Sequence, residues 1–177
     1  MCIRDRRKLR KQIFHVTFDQ APLEVMKACA EPRPGQWALT WITPDVMEAY
    51  LALNEAGAMH SIEVWDKDGK LGGGLFGTVV GPVFVVESLF HRVSNTSKYG
   101  LAVLMAHLQT WGFRYVDYKQ MNPHIASLGF AEMPLPEYLT VLEDDTELAT
   151  PSAPWCPDLT LDLGKWKPAD GPPPRLA

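Results

Sequence analysis

Two carboxylates at the ends of apolar segments are the side chains of this sequence best placed to do chemistry. Glu87 follows the apolar run 83–86, and Asp117 follows the short segment 115–116. A carboxylate beside buried apolar residues is costly unless it is paired or hydrogen-bonded. Each therefore has two interpretations. One is a structural ion pair, with Arg92 as the candidate partner of Glu87, and the other is a ligand for a substrate amine.

Other reactive residue types show weaker patterns. His124 could act as a general base, although a histidine at a helix start more often bonds to the backbone. The glycine-rich stretch 72–77 lacks the Lys-Ser/Thr of a phosphate-binding loop, and strand glycines more often admit another backbone or a ligand. The five histidines have no metal-ligand spacing. Three scattered cysteines, Cys2, Cys29 and Cys156, predict neither a disulfide framework nor a zinc site. We therefore expect no metal.

Charge is unevenly distributed along the 177-residue chain, whose formal net charge is −4. Six of the 17 basic residues lie in positions 1–11, and the rest of the chain carries 11 basic and 20 acidic residues. This balance excludes a globally basic nucleic-acid binder but allows a local contact between segment 1–11 and phosphates, with a solvated chain end as the alternative. Because no run of about 18 apolar residues is present, we expect a cytoplasmic protein without a membrane span.

The hydrophobic pattern predicts one main domain at 12–145, between the basic segment 1–11 and a proline-rich tail at 146–177. Strands are predicted at 12–18, 61–65, 70–80, 83–90 and 113–118, and helices at 22–30, 44–57, 97–111, 122–128 and 136–142. This order indicates an α/β (α+β) fold with a mixed, largely antiparallel sheet flanked by helices, similar to the acetyltransferase superfamily. The tail is expected to be extended and mostly unpacked, although Trp155 and Trp166 could dock it.

The start of the longest helix argues against an acetyl-CoA site. The phosphate-binding signature of acetyltransferases has Gln or Arg, then Gly and Gly or Ala three and five residues later. Here Gly100 and Ala102 are present, but Ser97 replaces the Gln or Arg. The sequence thus predicts the fold without that cofactor, and a monomer is our default expectation.

Four ordered stretches, within roughly residues 7–142, resemble the bacterial leucyl/phenylalanyl-tRNA–protein transferase family. They are TWIT at 40–43, HSIEVW at 60–65 with GGLFG at 73–77, ESLFHR at 87–92 with Ser97 and Lys98, and HIASLG at 124–129 after Asp117. The family transfers Leu, Phe or Met from its tRNA to a protein that begins with Arg or Lys, which marks that protein for the N-degron pathway. The resemblance implies aminolysis of an ester by an α-amine, without metal or cofactor.

The resemblance also assigns roles to individual residues. Glu87 matches the glutamate that holds the aminoacyl amine, and Asp117 matches the aspartate that holds or activates the incoming amine. Further substrate-binding residues, whose apolar members would line a pocket for a large side chain unbranched at Cβ, are Trp41, Leu75, Phe84, Ser88, Leu89, Ser97, Leu101, Leu104, Leu108 and Val116. Weaker contacts to tRNA phosphates fall on Arg7, Lys8, Arg10, Lys11 and Lys98.

One departure from the family pattern affects the chemistry. Lys119 stands where the family usually has a glutamine that is proposed to assist proton transfer or polarise the ester. A lysine could donate to a developing oxyanion, act as a base if buried, or simply pair with Asp117. In a continuous strand Asp117 and Lys119 would share one face while Gln120 pointed away, unless a bulge realigned it.

Two more departures concern the ends of the chain. We expect the family's N-terminal domain to be missing from this chain and segment 1–11 to be its remnant, with a start that could be artefactual. The tail has no family counterpart. Two alternatives to the family activity stay open. One is a divergent acyltransferase with another amine acceptor, and the other is an inactive binding module on the same fold.

Overall fold

A five-stranded sheet forms the centre of the structure, a computed structural model that describes residues 14–32, 40–143, 153–163, 166 and 175–176. Its strands, in chain order and in spatial order, are β1 (His15–Phe18), β2 (Met59–Trp65), β3 (Leu71–Val80), β4 (Val83–His91) and β5 (Tyr115–Asp117). Strands β1 to β4 are antiparallel, whereas β5 runs parallel to β4. The expected mixed, largely antiparallel sheet is confirmed.

Helices cover both faces of this sheet, as the pattern predicted. α1 (Pro22–Ala30) and α2 (Pro44–Glu55) lie on one face, which we call the front, and α3 (Thr96–Thr110) lies on the back. α3 is the crossover that a parallel connection from β4 to β5 requires. Two short helices, α4 (Pro123–Ser127) and α5 (Leu135–Leu142), and a small sheet of β6 (Ala131–Glu132) and β7 (Arg175–Leu176) complete the described structure. No helix in the described ranges is long and apolar enough to cross a membrane.

The alternation of side chains along β3 divides the core into two layers. Leu75 packs on the back with α3, in a cluster that includes Leu101 and Leu104. Phe76, the next residue, packs on the front with Met26 and other residues of α1 and its surroundings. Successive strand residues point to opposite faces, so one apolar strand can supply both layers. This explains why β3 is buried without interruption from Leu71 to Gly77.

Two glycines of β3 make room for neighbouring parts of the protein. A Cβ at Gly77 would collide with the carbonyl of Val85 and the ring of Phe84. A Cβ at Gly73 would collide with the side chain of Thr96 at the start of α3. The glycine-rich stretch therefore serves close packing of the protein against itself, which is one of the two outcomes expected for strand glycines.

Trp155 docks the tail on the core, as the sequence allowed, while most other residues of the segment 153–163 are exposed. Trp155 is 2% exposed and its ring stacks on His60, with centroids 3.5 Å apart and planes at 5°. Its backbone N–H donates to Asp19 Oδ2 at 2.7 Å, and the same oxygen lies 2.7 Å from His60 Nδ1. We call Asp19, His60 and Trp155 the Asp19 cluster. Proline content indicated an extended segment, but a single indole buries enough apolar surface to hold it on the core.

Boundaries differ from the sequence predictions in two places that matter. β5 ends at Asp117 rather than continuing to residue 118, so the strand-face argument for Lys119 and Gln120 no longer applies. The long helix begins after Asn95, which adopts a φ of 73° and makes no side-chain capping bond; the hydroxyl of Thr96 instead donates to Gly72 O and Val93 O. The basic segment 1–11 lies outside the described residues.

Candidate active site

A β-bulge in β4 positions Glu87. Phe76 pairs with Ser88 and Gly77 pairs with Val86, so Glu87 stands between them without a partner on β3. A bulge bends its strand and re-aims the extra side chain. The bulge places Glu87 and Ser88 at the point where β4 extends past the end of β5.

Three donors surround the carboxylate of Glu87. The Thr78 hydroxyl donates to Oε1 at 3.1 Å, and the ammonium of Lys119 donates to Oε2. Burial, followed by the charge and the hydrogen bond of Glu87, raises the pKa of Tyr50 to about 12, so this phenol is a third, neutral donor. The Glu87 side chain is only 9% exposed, whereas that of Lys119 is 42% exposed. The cation therefore covers the carboxylate from the solvent side.

Aromatic rings form the wall beside this ion pair. Trp41 lies against Tyr50 and Phe76, with ring centroids 6.1 and 6.4 Å apart, and is 49% exposed. The Lys119 ammonium lies 5.6 Å from the centroid of the Trp41 ring. An aromatic face next to a carboxylate is a favourable environment for an ammonium group. We call the set Glu87, Lys119, Trp41, Tyr50 and Thr78 the Glu87 site.

Asp117 is the second carboxylate on the front face. It is 8% exposed and accepts from the backbone N–H of Lys119 at 2.6 Å and from the Tyr138 hydroxyl at 2.9 Å. Burial, and then the bond to Asp117 and its charge, raise the pKa of Tyr138. Each carboxylate oxygen has two lone pairs, so both oxygens of Asp117 keep capacity for a further donor.

Neither of the two ion pairs that the sequence suggested, Arg92 with Glu87 and the Lys119 ammonium with Asp117, is present in the structure. Arg92 pairs with Glu31 rather than with Glu87, and its guanidinium also lies over the Phe90 ring. Lys119 gives Asp117 its backbone N–H, but its ammonium goes to Glu87. The cause is the backbone of Lys119, whose φ of 64° turns the chain immediately after β5.

The strands separate between the two carboxylates. β4 and β5 pair from Val83 with Tyr115 to Val85 with Asp117, and β4 then continues to His91. In the described part of the chain, the edge of β4 that faces away from β3 has no strand beside it beyond Val85. We call this separation of the two strands the opening between β4 and β5, and Glu87 and Asp117 lie beside it.

The apolar residues assigned to a substrate pocket lie on the back of the sheet. Six of them are 0–5% exposed and belong to one core cluster, and Leu89 packs against it; the six are Leu75, Phe84, Leu101, Leu104, Leu108 and Val116. Trp41 is separated from this cluster by the sheet. The structure thus brings Glu87, Lys119 and Trp41 into contact and keeps the apolar set as a packed core next to the opening between β4 and β5.

The remaining candidates are spread around this centre. Ser97 is buried and Lys98 is partly exposed in the first turn of α3. His124 lies exposed on α4, whose start is capped by Asn122 Oδ1 accepting from Ile125 N at 3.0 Å. The candidate tRNA contacts Arg7, Lys8, Arg10 and Lys11 lie outside the described residues. No three or more His, Cys, Asp or Glu side chains within the described ranges are grouped closely enough to hold a metal ion.

Sequence analysis missed three residues that contact the carboxylates: Tyr50, Thr78 and Tyr138. Thr78 was detectable in principle, because period-two alternation places it on the same face as Phe76. Tyr50 lies at helical spacing from Val46 and Leu53, a pattern that indicates packing and gives no sign of a partner for its hydroxyl. Nothing in the sequence marked Tyr138, which reaches Asp117 from α5.

A cavity of about 400 Å³ elsewhere in the protein contains none of the predicted site residues. It lies between β1, α3 and the segment 153–163, next to His15, Tyr99, His107 and Asp158. The candidate catalytic residues therefore lie at and around the Glu87 site and not beside this cavity.

Comparison with known proteins agrees with the sequence motifs. The family profile described as leucyl/phenylalanyl-tRNA protein transferase matches residues 3–143. A protein named leucyl/phenylalanyl-tRNA–protein transferase from Shewanella frigidimarina is 43% identical over 147 residues, which are 83% of this chain and 62% of the relative. A protein of the same name from Pseudomonas fluorescens is 43% identical over 147 residues, with 83% of this chain and 64% of the relative covered.

A third relative of that name, from Methylococcus capsulatus, is 39% identical over 150 residues, which are 85% of this chain and 63% of the relative. The chain thus spans 62–64% of the length of these curated relatives. The match covers the whole sheet, the bulge and both carboxylates. On this evidence the chain belongs to the leucyl/phenylalanyl-tRNA protein transferase family.

Proposed function

We propose that this chain catalyses transfer of an aminoacyl group from aminoacyl-tRNA to the α-amine of a protein. The observation that supports this most is the Glu87 site itself. It is a nearly buried carboxylate, walled by aromatic rings, that binds an ammonium group at the opening between β4 and β5. An aminoacyl ester presents the same ammonium group next to an apolar side chain. The curated relatives carry the name of this activity.

In the proposed reaction Glu87 orients the α-ammonium of the aminoacyl group. Its apolar side chain, Leu, Phe or Met, enters the opening between the strands towards Leu89 and the residues under α3. Ser88 and Trp41 border this entrance. The packed core there must loosen to admit the side chain, which favours unbranched Cβ positions over branched ones, with modest discrimination of about 1–3 kcal/mol per methylene.

Asp117 positions the second amine, that of the acceptor. The neutral α-amine attacks the ester carbonyl, forming a C–N bond, and the C–O bond to the tRNA ribose breaks. One proton leaves the attacking nitrogen and one proton ends on the ribose oxygen. No covalent enzyme intermediate is needed, so rate enhancement comes from orientation and electrostatics. The ammonium of Lys119 is available as a donor to the carbonyl oxygen in the transition state.

The acceptors and wider context follow the family resemblance. We infer proteins with an N-terminal Arg or Lys as acceptors, tagging for the N-degron pathway, and action as a monomer in the cytoplasm. Lys98 at the start of α3, with Arg7, Lys8, Arg10 and Lys11 of segment 1–11, would contact tRNA phosphates. Binding of tRNA should therefore weaken steeply with salt.

The test is a transfer assay with Phe-tRNA and Leu-tRNA and peptides that begin with Arg, Lys, Asp or Ala. Mass spectrometry should detect the gain of one residue on the Arg and Lys peptides only. Glu87→Gln and Asp117→Asn should each reduce the rate about a hundredfold, by the scale of losing one positioned electrostatic group. The matched control is Asp68→Asn, which neutralises an exposed carboxylate in the turn between β2 and β3.

Two outcomes would redirect the proposal. Gain on Asp or Ala peptides would favour the divergent acyltransferase, an alternative suggested by Lys119 in place of the family glutamine. Absence of product on every peptide, with Phe-tRNA still bound, would favour the inactive binding module and contradict the transfer activity.

A further inference from the structure

The carboxylate of Glu87 already carries a cation that belongs to the chain itself. Among the described residues, Lys119 is the cation paired with Glu87. The other two donors to the Glu87 carboxylate, Thr78 and Tyr50, are neutral. Such a weakly exposed carboxylate strongly favours a positive partner. Any ligand whose ammonium group is to bind Glu87 meets this occupied position.

The backbone holds Lys119 in this position. Its φ of 64° is in the left-handed region, which is unfavourable for a residue with a Cβ, and its N–H is fixed by the bond to Asp117 Oδ1 at 2.6 Å. Such a conformation persists only where the surrounding structure holds it in place. The turn directs the side chain back across the front face to Glu87, 32 residues earlier in the sequence.

The surroundings of the Lys119 ammonium are those of a ligand site rather than of a core ion pair. It contacts the carboxylate on one side, the half-exposed Trp41 ring lies on another, and 42% of the lysine side chain remains in solvent. A ligand ammonium would need the same carboxylate and the same ring. Two ammonium groups at one carboxylate repel each other, so both cannot be held at full strength.

We propose that Lys119 is a specificity-determining residue that occupies the ammonium position at Glu87 and must be displaced when an aminoacyl ligand binds. This rests on the proposed function, since it takes the ligand to be an α-ammonium with an apolar side chain. The intramolecular cation weakens binding of such ligands, whereas ligands without the positive charge are unaffected. Lys119 thereby sets the affinity of this chain for its aminoacyl substrate.

The experiment compares the affinity of wild type and Lys119→Gln for two small probes by calorimetry. L-Phenylalaninamide carries the ammonium group, and N-acetyl-L-phenylalaninamide has the same side chain without the charge. Lys119→Gln should bind the charged probe roughly two- to fivefold more tightly than wild type, the factor expected from removing a partly exposed competing ion pair. Affinity for the acetylated probe should not change.

Three further variants make the result specific. Lys67→Gln removes the same formal charge from an exposed turn, where Lys67 pairs with Asp68. It should leave the affinities for both probes unchanged. Glu87→Gln combined with Lys119→Gln should lose the gain. Lys119→Met separates loss of charge from any new hydrogen bond of the glutamine and should also tighten binding of the charged probe.

Equal affinity of wild type and Lys119→Gln for the charged probe would overturn the inference. So would equal tightening for the acetylated probe, or no measurable binding by any Lys119 variant that shows the wild-type circular dichroism spectrum. A failed transfer assay leaves this result interpretable, because probe binding needs no tRNA and no turnover. Conversely, active transfer with unchanged probe affinity would support the proposed function and refute the displacement of Lys119.

Discussion

The Asp19 cluster and the Glu87 site both contain a shielded carboxylate next to an aromatic ring, yet they satisfy the charge differently. The Asp19 carboxylate has four hydrogen-bond partners. Two are backbone N–H groups, those of Ser61 at 2.8 Å and Trp155 at 2.7 Å. The other two are side-chain nitrogens, Asn54 Nδ2 at 3.2 Å and His60 Nδ1 at 2.7 Å. The side chains of Asp19 and His60 are each 1% exposed.

Glu87 has fewer fixed partners, and its only charged partner in the described structure is 42% exposed. We infer that a buried carboxylate is structural where backbone and interior groups fill its acceptor positions. Such a carboxylate is available for ligands where one of its partners is a solvent-facing side chain that can move away. The first arrangement should control stability, and the second should control binding.

The largest effect should come from removing the indole of the Asp19 cluster. Trp155→Ala would empty the space between His60, Trp111 and Phe113 and lower the free energy of unfolding by about 3–5 kcal/mol. Urea denaturation followed by circular dichroism measures this. The control is Cys156→Ser at the exposed neighbouring position, which should change stability by less than about 0.5 kcal/mol. A small loss for Trp155→Ala would mean that segment 153–163 contributes little to the core.

The second effect compares the two carboxylates directly. Asp19→Asn would place an NH₂ group where one carboxylate oxygen accepts from two donors and leave those two unpaired, which should cost about 3 kcal/mol of unfolding free energy. Glu87→Gln should cost less than about 1 kcal/mol, because its neighbours are partly solvated and its hydroxyl donors can reorient. Denaturant titrations of both variants measure the difference. Equal losses would show that Glu87 is as structural as Asp19.

A third effect concerns pH and the histidine that binds the same C-terminal segment. His107 Nε2 accepts from Asp158 N at 2.9 Å while its Nδ1 donates to Val103 O at 2.7 Å, so the neutral ring fits both bonds. Burial lowers the pKa of His107 below its usual 6.5, although the Val103 carbonyl and Asp158 oppose this. Below about pH 6.5 the unfolded chain therefore takes up a proton that the folded protein does not, and stability falls as the pH falls.

This pH effect can be isolated with His107→Gln. The stability advantage of wild type over the variant should shrink between pH 7.5 and pH 5.5 in denaturant titrations, since the glutamine does not titrate. His15, which lies near the same cavity, provides the control variant His15→Gln, whose difference from wild type we expect to be smaller because its side chain is exposed. An advantage that grows on acidification would contradict the assignment of a neutral ring.

The smallest effect on stability should be that of Lys119→Gln. Because the ammonium is partly exposed and the glutamine can still donate to Glu87, the loss should stay below about 1 kcal/mol. The same variant should nevertheless change ligand affinity, which is the signature expected of the Glu87 site. A loss as large as that of Asp19→Asn, measured by urea denaturation, would remove the distinction between the two regions.

Much of the fold was predictable because it depends on local pattern. The strand containing Val83 and Val86, the turn ending in Gly69 and the helical stripe of Leu101, Leu104 and Leu108 are set by neighbouring residues and periodicity. Their interactions span a few positions, and the sheet order follows from short connections and one crossover. Glu87 and Asp117 were also detectable, since a charge at the end of an apolar strand is visible in the sequence alone.

The tertiary structure decided which groups these carboxylates meet. Lys119 and Glu87 are 32 residues apart, and Trp155 and Asp19 are 136 apart, so no local pattern encodes either contact. The bulge at Glu87 and the positive φ of Lys119 redirect two side chains that simple alternation would have placed differently. The sequence by itself determined the elements and the candidate carboxylates. Which groups each carboxylate contacts was decided only by the tertiary structure, because these contacts depend on strand register and burial rather than on neighbouring residues in the sequence.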